Sequence, residues 1–146
     1  MLAAAASPVT VTADSASKTY DGTALTKNSF THTGTIASID TLTAVVAGSQ
    51  TDAGESANIV TSYQVTRDGK NITGYYTFAA SVPATLAVEK RSVTLSSGSG
   101  SKTYDGAALT NRTVAVTGDG FASGEGASYN VTGSQLDKGS SKNTFT

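Results

Sequence analysis

The sequence predicts an all-β fold, and three observations favour it. Thr, Ser and Gly dominate the 146 residues, and threonine favours strands whereas glycine favours turns. Short alternations of apolar and polar residues are separated by frequent turn signals. The stretch Ser17–Gly22 also recurs letter for letter as Ser101–Gly106, 84 residues later. A period of this size indicates small domains in tandem, so we predict tandem modules that are each a small two-sheet, Ig-like β-sandwich.

A second shared patch supports the repeat, now at a spacing of 85 residues. Its first copy is Gly48, Ser49, Gln50, Asp52, Gly54, Ser56 and Asn58, and its second is Gly133, Ser134, Gln135, Asp137, Gly139, Ser141 and Asn143. One residue has therefore been inserted between the two landmarks, and we place it in the loop 118–121. We predict a linker or cloning remnant over residues 1–8, a complete module over 9–91 and a truncated module over 92–146.

The truncation carries its own expectation. The second module lacks counterparts of the strands around Tyr63, Phe78 and Leu86. Its remaining strands would have unpaired edges, which are templates for pairing with another chain. We expect residues 93–146 to be partly disordered alone, or to become ordered by borrowing strands from another copy.

Composition excludes several classes of function. The net charge is −1, and the only tight basic run is Lys90-Arg91, so nothing indicates nucleic acid or an anionic membrane as a partner. Cysteine is absent and His32 is the single histidine, which excludes disulfides, thiolate nucleophiles and multi-histidine metal sites within the chain. We predict no cofactor, no metal and no membrane insertion.

The first half of the chain contains one ambiguous segment. Alternation predicts a strand over residues 9–12, a loop over 13–17 and a short strand that contains Phe30 and His32. Residues 36–46 could instead form a helical stripe, which gives the alternative of a β-grasp-like module with one short helix there. The run 41–47 is rich in Thr and Val and alternates, so we prefer a strand.

The rest of the first module follows a clear strand pattern. Ile59, Thr61, Tyr63 and Val65 are predicted to share one face of a strand. Asp68-Gly69 is a hairpin signal. Inward-facing positions are predicted at Tyr76, Phe78, Leu86 and Val88. The junction 88–93 contains neither Gly nor Pro, so we expect a stiff joint between the modules.

Three stretches resemble the YDG/MBG ("mostly beta, glycine-rich") repeats of large bacterial surface proteins, many of which are adhesins. They are Lys18–Leu25, Gly48–Gly54 followed by Asn58, and Pro83–Val88. The resemblance implies an extracellular location, on the bacterial cell surface or secreted, and no catalysis. The chain departs from the family at residues 74–78, where the family more often shows Asn-Tyr-x-Ile and this chain has an additional tyrosine.

The repeated hexapeptide brings Lys, Tyr, Asp and Gly together, which invites a catalytic interpretation. The members are Lys18, Tyr20, Asp21 and Gly22 in one copy and Lys102, Tyr104, Asp105 and Gly106 in the other. Asp-Gly more often makes a turn while the tyrosine packs. No nucleophile–base pair accompanies the motif, so we interpret it as structural and predict that the chain is not an enzyme.

Two further sets of residues, two Lys–Asn pairs and a pair of tyrosines, have both a functional and a simpler structural interpretation. A Lys–Asn isopeptide cross-link would join Lys18 to Asn58 and Lys102 to Asn143, whereas the simpler interpretation is a solvated lysine and a turn-capping asparagine. Tyr63 and Tyr75 could form a sugar-stacking platform, but cross-strand packing is the interpretation we favour.

Together these observations predict a non-catalytic stalk or spacer in an adhesin, with neighbouring repeats of the same chain as its partners. The alternative is an adhesive module that binds carbohydrate or a host protein, with a host glycan or matrix protein as the partner.

Overall fold

The structure, a computed structural model, describes residues 7–146. The linker predicted over residues 1–8 therefore lies outside the described residues except for its last two. The chain divides into two units, Met1–Lys90 (unit 1) and Arg91–Thr146 (unit 2). The all-β prediction is confirmed, because the described residues form strands and a single 3-10 turn. No helix among them is long and apolar enough to cross a membrane.

Unit 1 contains β1 (Thr10–Ala13), β2 (Ala16–Thr19), β3 (Phe30–Thr33), β4 (Thr41–Ala47), β5 (Gly54–Arg67), β6 (Lys70–Asn71) and β7 (Ala84–Glu89). The 3-10 turn, Thr73–Tyr75, lies between β6 and β7. Unit 2 contains β8 (Val93–Ser97) and β9 (Val114–Gly118).

The first strand is paired on both edges. β1 runs antiparallel to β3, and its other edge bonds to residues 77–82. There the Val9 N–H donates to the Thr77 carbonyl at 2.8 Å, and the Ala13 N–H donates to the Val82 carbonyl at 3.0 Å. Val9, Val11 and Ala13 are buried. The alternation predicted for this strand is confirmed.

The larger sheet has the order β2-β7-β5-β4, and β6 also pairs with β5. β7 lies parallel to β2 and antiparallel to β5, and its Leu86 and Val88 are buried as predicted. The loop predicted over residues 13–17 is wrong at both ends, because β1 extends through Ala13 and β2 begins at Ala16. That strand forms by pairing with β7, and Ala16 lies opposite Leu86, a partner that local sequence cannot indicate.

A β-bulge interrupts the pairing of β4 with β5. Val45 lies opposite Ser62, but the next residue, Val46, lies opposite Val60. Thr61 is therefore the extra residue of β5. An extra residue shifts the alternation of a strand by one position. The alternate residues that face one side of the sheet before the bulge are therefore out of step, by one position, with those that face the same side after it.

The bulge changes which side chains of β5 face inward. Val65 is fully buried, as predicted, and Tyr63 is half-buried. Ile59, however, is 46% exposed, while its neighbour Asn58 is fully buried. The prediction that Ile59 and Thr61 share one face of the strand with Tyr63 and Val65 is wrong for that reason.

Two local predictions are confirmed. The Asp68-Gly69 turn closes the β5–β6 hairpin, with Arg67 opposite Lys70. Both turn residues have positive φ, 51° and 77°, as a type I′ turn requires. β4 covers Thr41–Ala47. The helix near residues 36–46 of the β-grasp-like alternative is wrong, because the threonines and valines of this segment form a ladder with β5.

Unit 2 repeats part of the pairing of unit 1. β8 and β9 are antiparallel and lie 84 residues after β1 and β3. The bridge between Val131 and Phe145 corresponds, at a spacing of 85, to the pairing of Val46 with Val60. The inserted residue therefore lies between Gly118 and Val131, an interval that begins with the predicted loop 118–121.

The bulge leads to a stability prediction. Val65→Ala removes fully buried methyl groups and should lower the free energy of unfolding by about 2 kcal/mol. Ile59→Ala, on the same strand, should cost less than about 1 kcal/mol because the side chain is already largely in water. Chemical denaturation of both variants measures the difference, and an equal or larger loss for Ile59→Ala would contradict the shifted parity of β5.

Candidate functional site

The repeated hexapeptide of unit 1 forms a hydrogen-bonded turn at the end of β2. Lys18 Nζ donates to Asp21 Oδ1 at 2.6 Å, and to the carbonyl and hydroxyl oxygens of Thr23 at 2.7 Å each. The Thr23 N–H donates to Asp21 Oδ1 at 2.9 Å, the two-residue reach by which aspartate stabilises a turn. Gly22 has a φ of 80°, a backbone conformation that favours glycine. A Cβ added there would meet no atom within 4 Å, so the requirement is conformational and not steric.

These contacts hold Asp21 in its ionised form. The hydrogen bond from Lys18, followed by those from Thr23, lowers the pKa of Asp21 far below its ordinary value. A carboxylate that is ionised and accepts bonds from the Lys18 ammonium and from the N–H and hydroxyl of Thr23 has no proton to give and little basicity. The motif is therefore chemically suited to fixing a turn. The Tyr20 N–H donates to the Glu89 carbonyl at 2.8 Å, and this bond connects the turn to the sheet.

The second copy repeats the turn with fewer bonds. Lys102 Nζ donates to Asp105 Oδ1 at 2.7 Å, and the Ala107 N–H donates to the same oxygen at 2.9 Å. Ala107 replaces Thr23, so the hydroxyl contact is absent. The hydrogen bond from Lys102 lowers the pKa of Asp105. Gly106 keeps a φ of 79°, but Tyr104 is 64% exposed, whereas its counterpart Tyr20 is half-buried.

Asn58 is the buried polar side chain of unit 1, with no exposed surface. Its Nδ2 donates to the carbonyls of Asp14 and Lys27, at 2.8 Å each. One amide thus joins β5 to the β1–β2 connection and to the segment before β3. In unit 2, Asn143 Nδ2 donates in the same way to the carbonyls of Gly98 and Asn111.

A glycine lies against each of these asparagines. A Cβ added to Gly48 would lie 2.6 Å from Asn58 Oδ1 and 2.7 Å from the Ala57 carbonyl, so no side chain fits. Gly133 meets Asn143 in the same way, even more closely. The Oδ1 atoms of both asparagines are buried without a hydrogen-bond partner. The glycine and asparagine that the two copies share at matching positions are thus one packing unit.

The structure does not bring Lys18 to Asn58, or Lys102 to Asn143. Each ammonium is held by its own turn, and each carboxamide is held by two backbone carbonyls. A cross-link would require the amine to reach the carboxamide carbon. Neither pair is arranged for that reaction.

A polar cluster that sequence analysis missed lies near the 3-10 turn. Arg67 pairs with Asp40 through two bonds, Nε to Oδ1 at 2.5 Å and Nη2 to Oδ2 at 2.9 Å. The Tyr76 hydroxyl donates to Asp40 Oδ2 at 2.5 Å and accepts the Ala37 N–H at 3.0 Å. The cluster joins the start of β4, the end of β5 and the segment after the 3-10 turn.

The Asp40 carboxylate at its centre has no solvent-exposed surface. Hydrogen bonding from Arg67, and then from Tyr76, lowers the pKa of Asp40. The bond to Asp40 in turn raises the pKa of the Tyr76 phenol and that of the Arg67 guanidinium. All three groups are held in their ordinary charge states at neutral pH, so the cluster is a part-buried structural contact. Its three members lie on a turn, at the end of a strand and on a later segment, so no local sequence pattern could have predicted the cluster.

The two tyrosines of the predicted sugar platform are not in ring contact with each other. Tyr63 stacks on Phe78, with centroids 4.1 Å apart and planes at 24°. Tyr75 lies on the 3-10 turn and is 79% exposed. Among residues 7–146, no group of three or more His, Cys, Asp or Glu side chains is placed to hold a metal ion.

The Asp40 cluster leads to a pH prediction. Because folding lowers the pKa of Asp40, its contribution to stability is present above the ordinary value of 3.8 and is lost as the pH falls through the folded-state value. The difference in unfolding free energy between the native chain and Asp40→Asn should therefore shrink below about pH 3.8. Asp21 titrates in the same direction but is present in both chains, so its effect cancels.

The measurement is denaturant unfolding of both chains over a series of pH values. Tyr76→Phe is the control variant, because it keeps the Arg67 contacts that are the larger cause of the shift. Its acid loss of stability should resemble that of the native chain. A difference between the native chain and Asp40→Asn that stays constant through the acid range would contradict the assignment.

The separation of Lys18 from Asn58 leads to a mass prediction. The intact mass of the chain should equal that of the unmodified sequence, because Lys18 and Lys102 are hydrogen-bonded within their own turns and not to Asn58 or Asn143. Mass spectrometry of the purified chain checks this. Loss of one ammonia, mapped by proteolysis to Lys18–Asn58 or Lys102–Asn143, would show that the cross-link forms after all.

With the fold and these contacts established, the chain was compared with known proteins. No protein-family model, no curated protein and no solved structure matches it. Inferences about its function therefore depend on its own residues and on the repeat that they form.

Proposed function

We propose that this chain is a non-catalytic repeat of a bacterial surface protein, extracellular, and that it acts as a stiff stalk or spacer in an adhesin. The observation that carries the proposal is that the same structural bonds recur in both units. The Lys–Asp turn, the buried asparagine and its glycine each appear twice, at matching positions. Each of these repeated residues stabilises the backbone, so their repetition indicates a structural role. An array of such modules is suited to spanning a distance.

The architecture that we propose for each module is a two-sheet, Ig-like β-sandwich. In unit 1 its support is that β1 lies against β5, a strand of the other sheet. Tyr63 of β5 also stacks on Phe78, which lies in the segment paired with β1. The chain passes from one sheet to the other between Ala13 and Ala16, where only two residues separate β1 from β2.

Membership of the YDG/MBG repeats is part of the same proposal. Its support is that the residues carrying the resemblance have defined structural roles. Lys18 and Asp21 form the turn, Gly48 packs against Asn58, and the closing stretch supplies the central strand β7. A motif whose members all support the backbone is the kind that recurs in strings of modules.

The joint between the modules supports stiffness. Only Lys90, Arg91 and Ser92 separate β7 from β8. Arg91 Nε donates to the Gly120 carbonyl at 2.7 Å, and the Ser92 N–H donates to Asp119 Oδ2 at 2.8 Å. Two of the three connecting residues are thus fixed to unit 2, which leaves less freedom than a Gly/Ser linker would have.

A second candidate function is adhesion, with a host glycan or matrix protein as ligand. The observation that favours it is Tyr75, which is 79% exposed on a turn beside the Asp40–Arg67–Tyr76 cluster. An exposed tyrosine can stack on a sugar or a partner side chain.

One binding experiment separates the two functions. The full chain is immobilised and exposed to a panel of glycans, mucins and matrix proteins, in parallel with Tyr75→Ala. Val45→Ala is the matched control, since this residue is 56% exposed but lies on β4. A spacer should show no saturable binding. Saturable binding that Tyr75→Ala abolishes and Val45→Ala retains would overturn the spacer in favour of adhesion.

A further inference from the structure

We propose that unit 1 binds a second copy of this chain through the outer edge of β4, the edge that faces away from β5. The two β4 strands pair antiparallel about a two-fold axis at Ala44 and join the two larger sheets into one. The inference depends on the sheet of unit 1 alone, so its failure would leave the proposed function standing.

β4 is the last strand on one side of the larger sheet. Within residues 7–146 it pairs with β5 alone, so no strand lies beside its outer edge. The strand is seven residues long, Thr41–Ala47, and contains no charged residue and no proline. Its side chains alternate without interruption, because the extra residue of the bulge belongs to β5. A long, regular and uncharged edge of this kind is a template for pairing with another strand.

The opposite end of the same sheet is protected against such pairing. β2 has only four residues and contains Lys18. Short edge strands and lysines are two of the devices by which natural proteins prevent edge-to-edge association. When two unprotected β4 edges pair with each other, only the protected β2 edges remain at the ends of the joined sheet. The contact is therefore isologous and closes at two copies.

The hydrogen bonds of β5 show which backbone groups of β4 point to the outer edge. The Val65 N–H donates to Thr73 Oγ1 at 2.9 Å, and the Val65 carbonyl accepts the Ile72 N–H at 2.8 Å. Both groups of Val65 thus point away from β4, so Leu42 and Val65 lie opposite each other without exchanging backbone bonds. The N–H and the carbonyl of Leu42 therefore point to the outer edge.

Three residues of β4 form a self-complementary set. Bonded and non-bonded positions alternate along an antiparallel ladder, so Ala44 and Val46 direct their backbone groups outward as Leu42 does. When Ala44 lies opposite Ala44 of the second copy, Leu42 lies opposite Val46, and each of these residues can exchange both of its bonds. Their side chains are buried or half-buried in each module. Because paired residues project to the same side of a sheet, the two cores lie on the same side of the joined sheet.

Charge favours a second copy as the occupant of this edge. β4 has no charged side chain, so two copies of it bring no like charges together. Thr43 and Val45 are exposed, and the two-fold register places Thr43 of one copy opposite Val45 of the other. Both are β-branched residues, which pack well on a pleated surface. Asp40, which precedes β4, would lie opposite Gly48 of the second copy, and its charge is already paired with Arg67.

The first test is sedimentation of the full chain over a concentration series from about 1 µM to about 1 mM, which covers the affinities of small interfaces. We expect a reversible equilibrium between monomer and dimer, with no larger species. Thr43→Lys combined with Val45→Lys should weaken dimerisation about tenfold, because the two-fold axis places a lysine opposite a lysine on each side of it.

Ser62→Lys combined with Gln64→Lys is the matched control. These two residues of β5 lie opposite Val45 and Thr43 and are also exposed. The control therefore adds the same charge to the same face, one strand away from the outer edge, where salt screens much of the repulsion between copies. It should dimerise about as well as the native chain.

Mixing two variants tests the pairing by charge complementarity. Thr43→Glu combined with Val45→Glu should also weaken dimerisation, for the same reason as the lysine variant. An equimolar mixture of the glutamate and lysine variants should form heterodimers, because opposite charges then face each other across the axis. Recovery of the dimer in the mixture also shows that both variants are folded.

Amide hydrogen exchange of the native chain locates the interface without any substitution. Dimerisation should slow exchange at Leu42, Ala44 and Val46, whose N–H groups point to the outer edge. The amides of Thr43 and Val45 bond to β5 and should exchange slowly at every concentration. A chain that stays monomeric over the whole series, a dimer that the lysine variant retains, or protection away from β4 would overturn the proposal. Assemblies that grow beyond the dimer would overturn it as well.

Discussion

The buried carboxamide of Asn58 is the interaction on which the rest of unit 1 depends. Its two N–H groups satisfy carbonyls that lie 44 and 31 residues away in the chain, so one side chain closes two long connections onto β5. Leaving those carbonyls buried and unpaired would cost about 1–3 kcal/mol each. The neighbouring Gly48 is part of the same constraint, because any side chain there would displace the amide. Asn143 and Gly133 repeat it in unit 2.

Short-range features of this fold could be predicted from the sequence, and long-range ones could not. The Asp68-Gly69 turn, the alternation of β1 and the strand at Thr41–Ala47 depend on neighbouring residues, whose chemistry is visible in the sequence. The pairing of β2 with β7 depends on contacts between distant segments. A single extra residue, Thr61, reverses the parity of half a strand and leaves no local signature.

The candidate sites follow the same division. The repeat identified Lys18, Asp21 and Asn58 correctly as important positions, but repetition does not say which atoms meet. The structure joins Lys18 to Asp21 and Asn58 to backbone carbonyls, whereas the cross-link hypothesis joined Lys18 to Asn58. The Asp40–Arg67–Tyr76 cluster has no counterpart among residues 91–146, so comparison of the two copies could not find it.

The parallel pairing of β2 with β7 has a mechanical consequence. These strands lie near the two ends of unit 1, side by side and in the same direction. Tension applied through the ends of the unit would pull them in opposite directions along their common axis. Every bond of the ladder would then bear the load at once in shear, instead of opening one after another from an end. A repeat with this arrangement resists extension until the ladder breaks as a whole, which is the mechanical behaviour that the proposed stalk function would require.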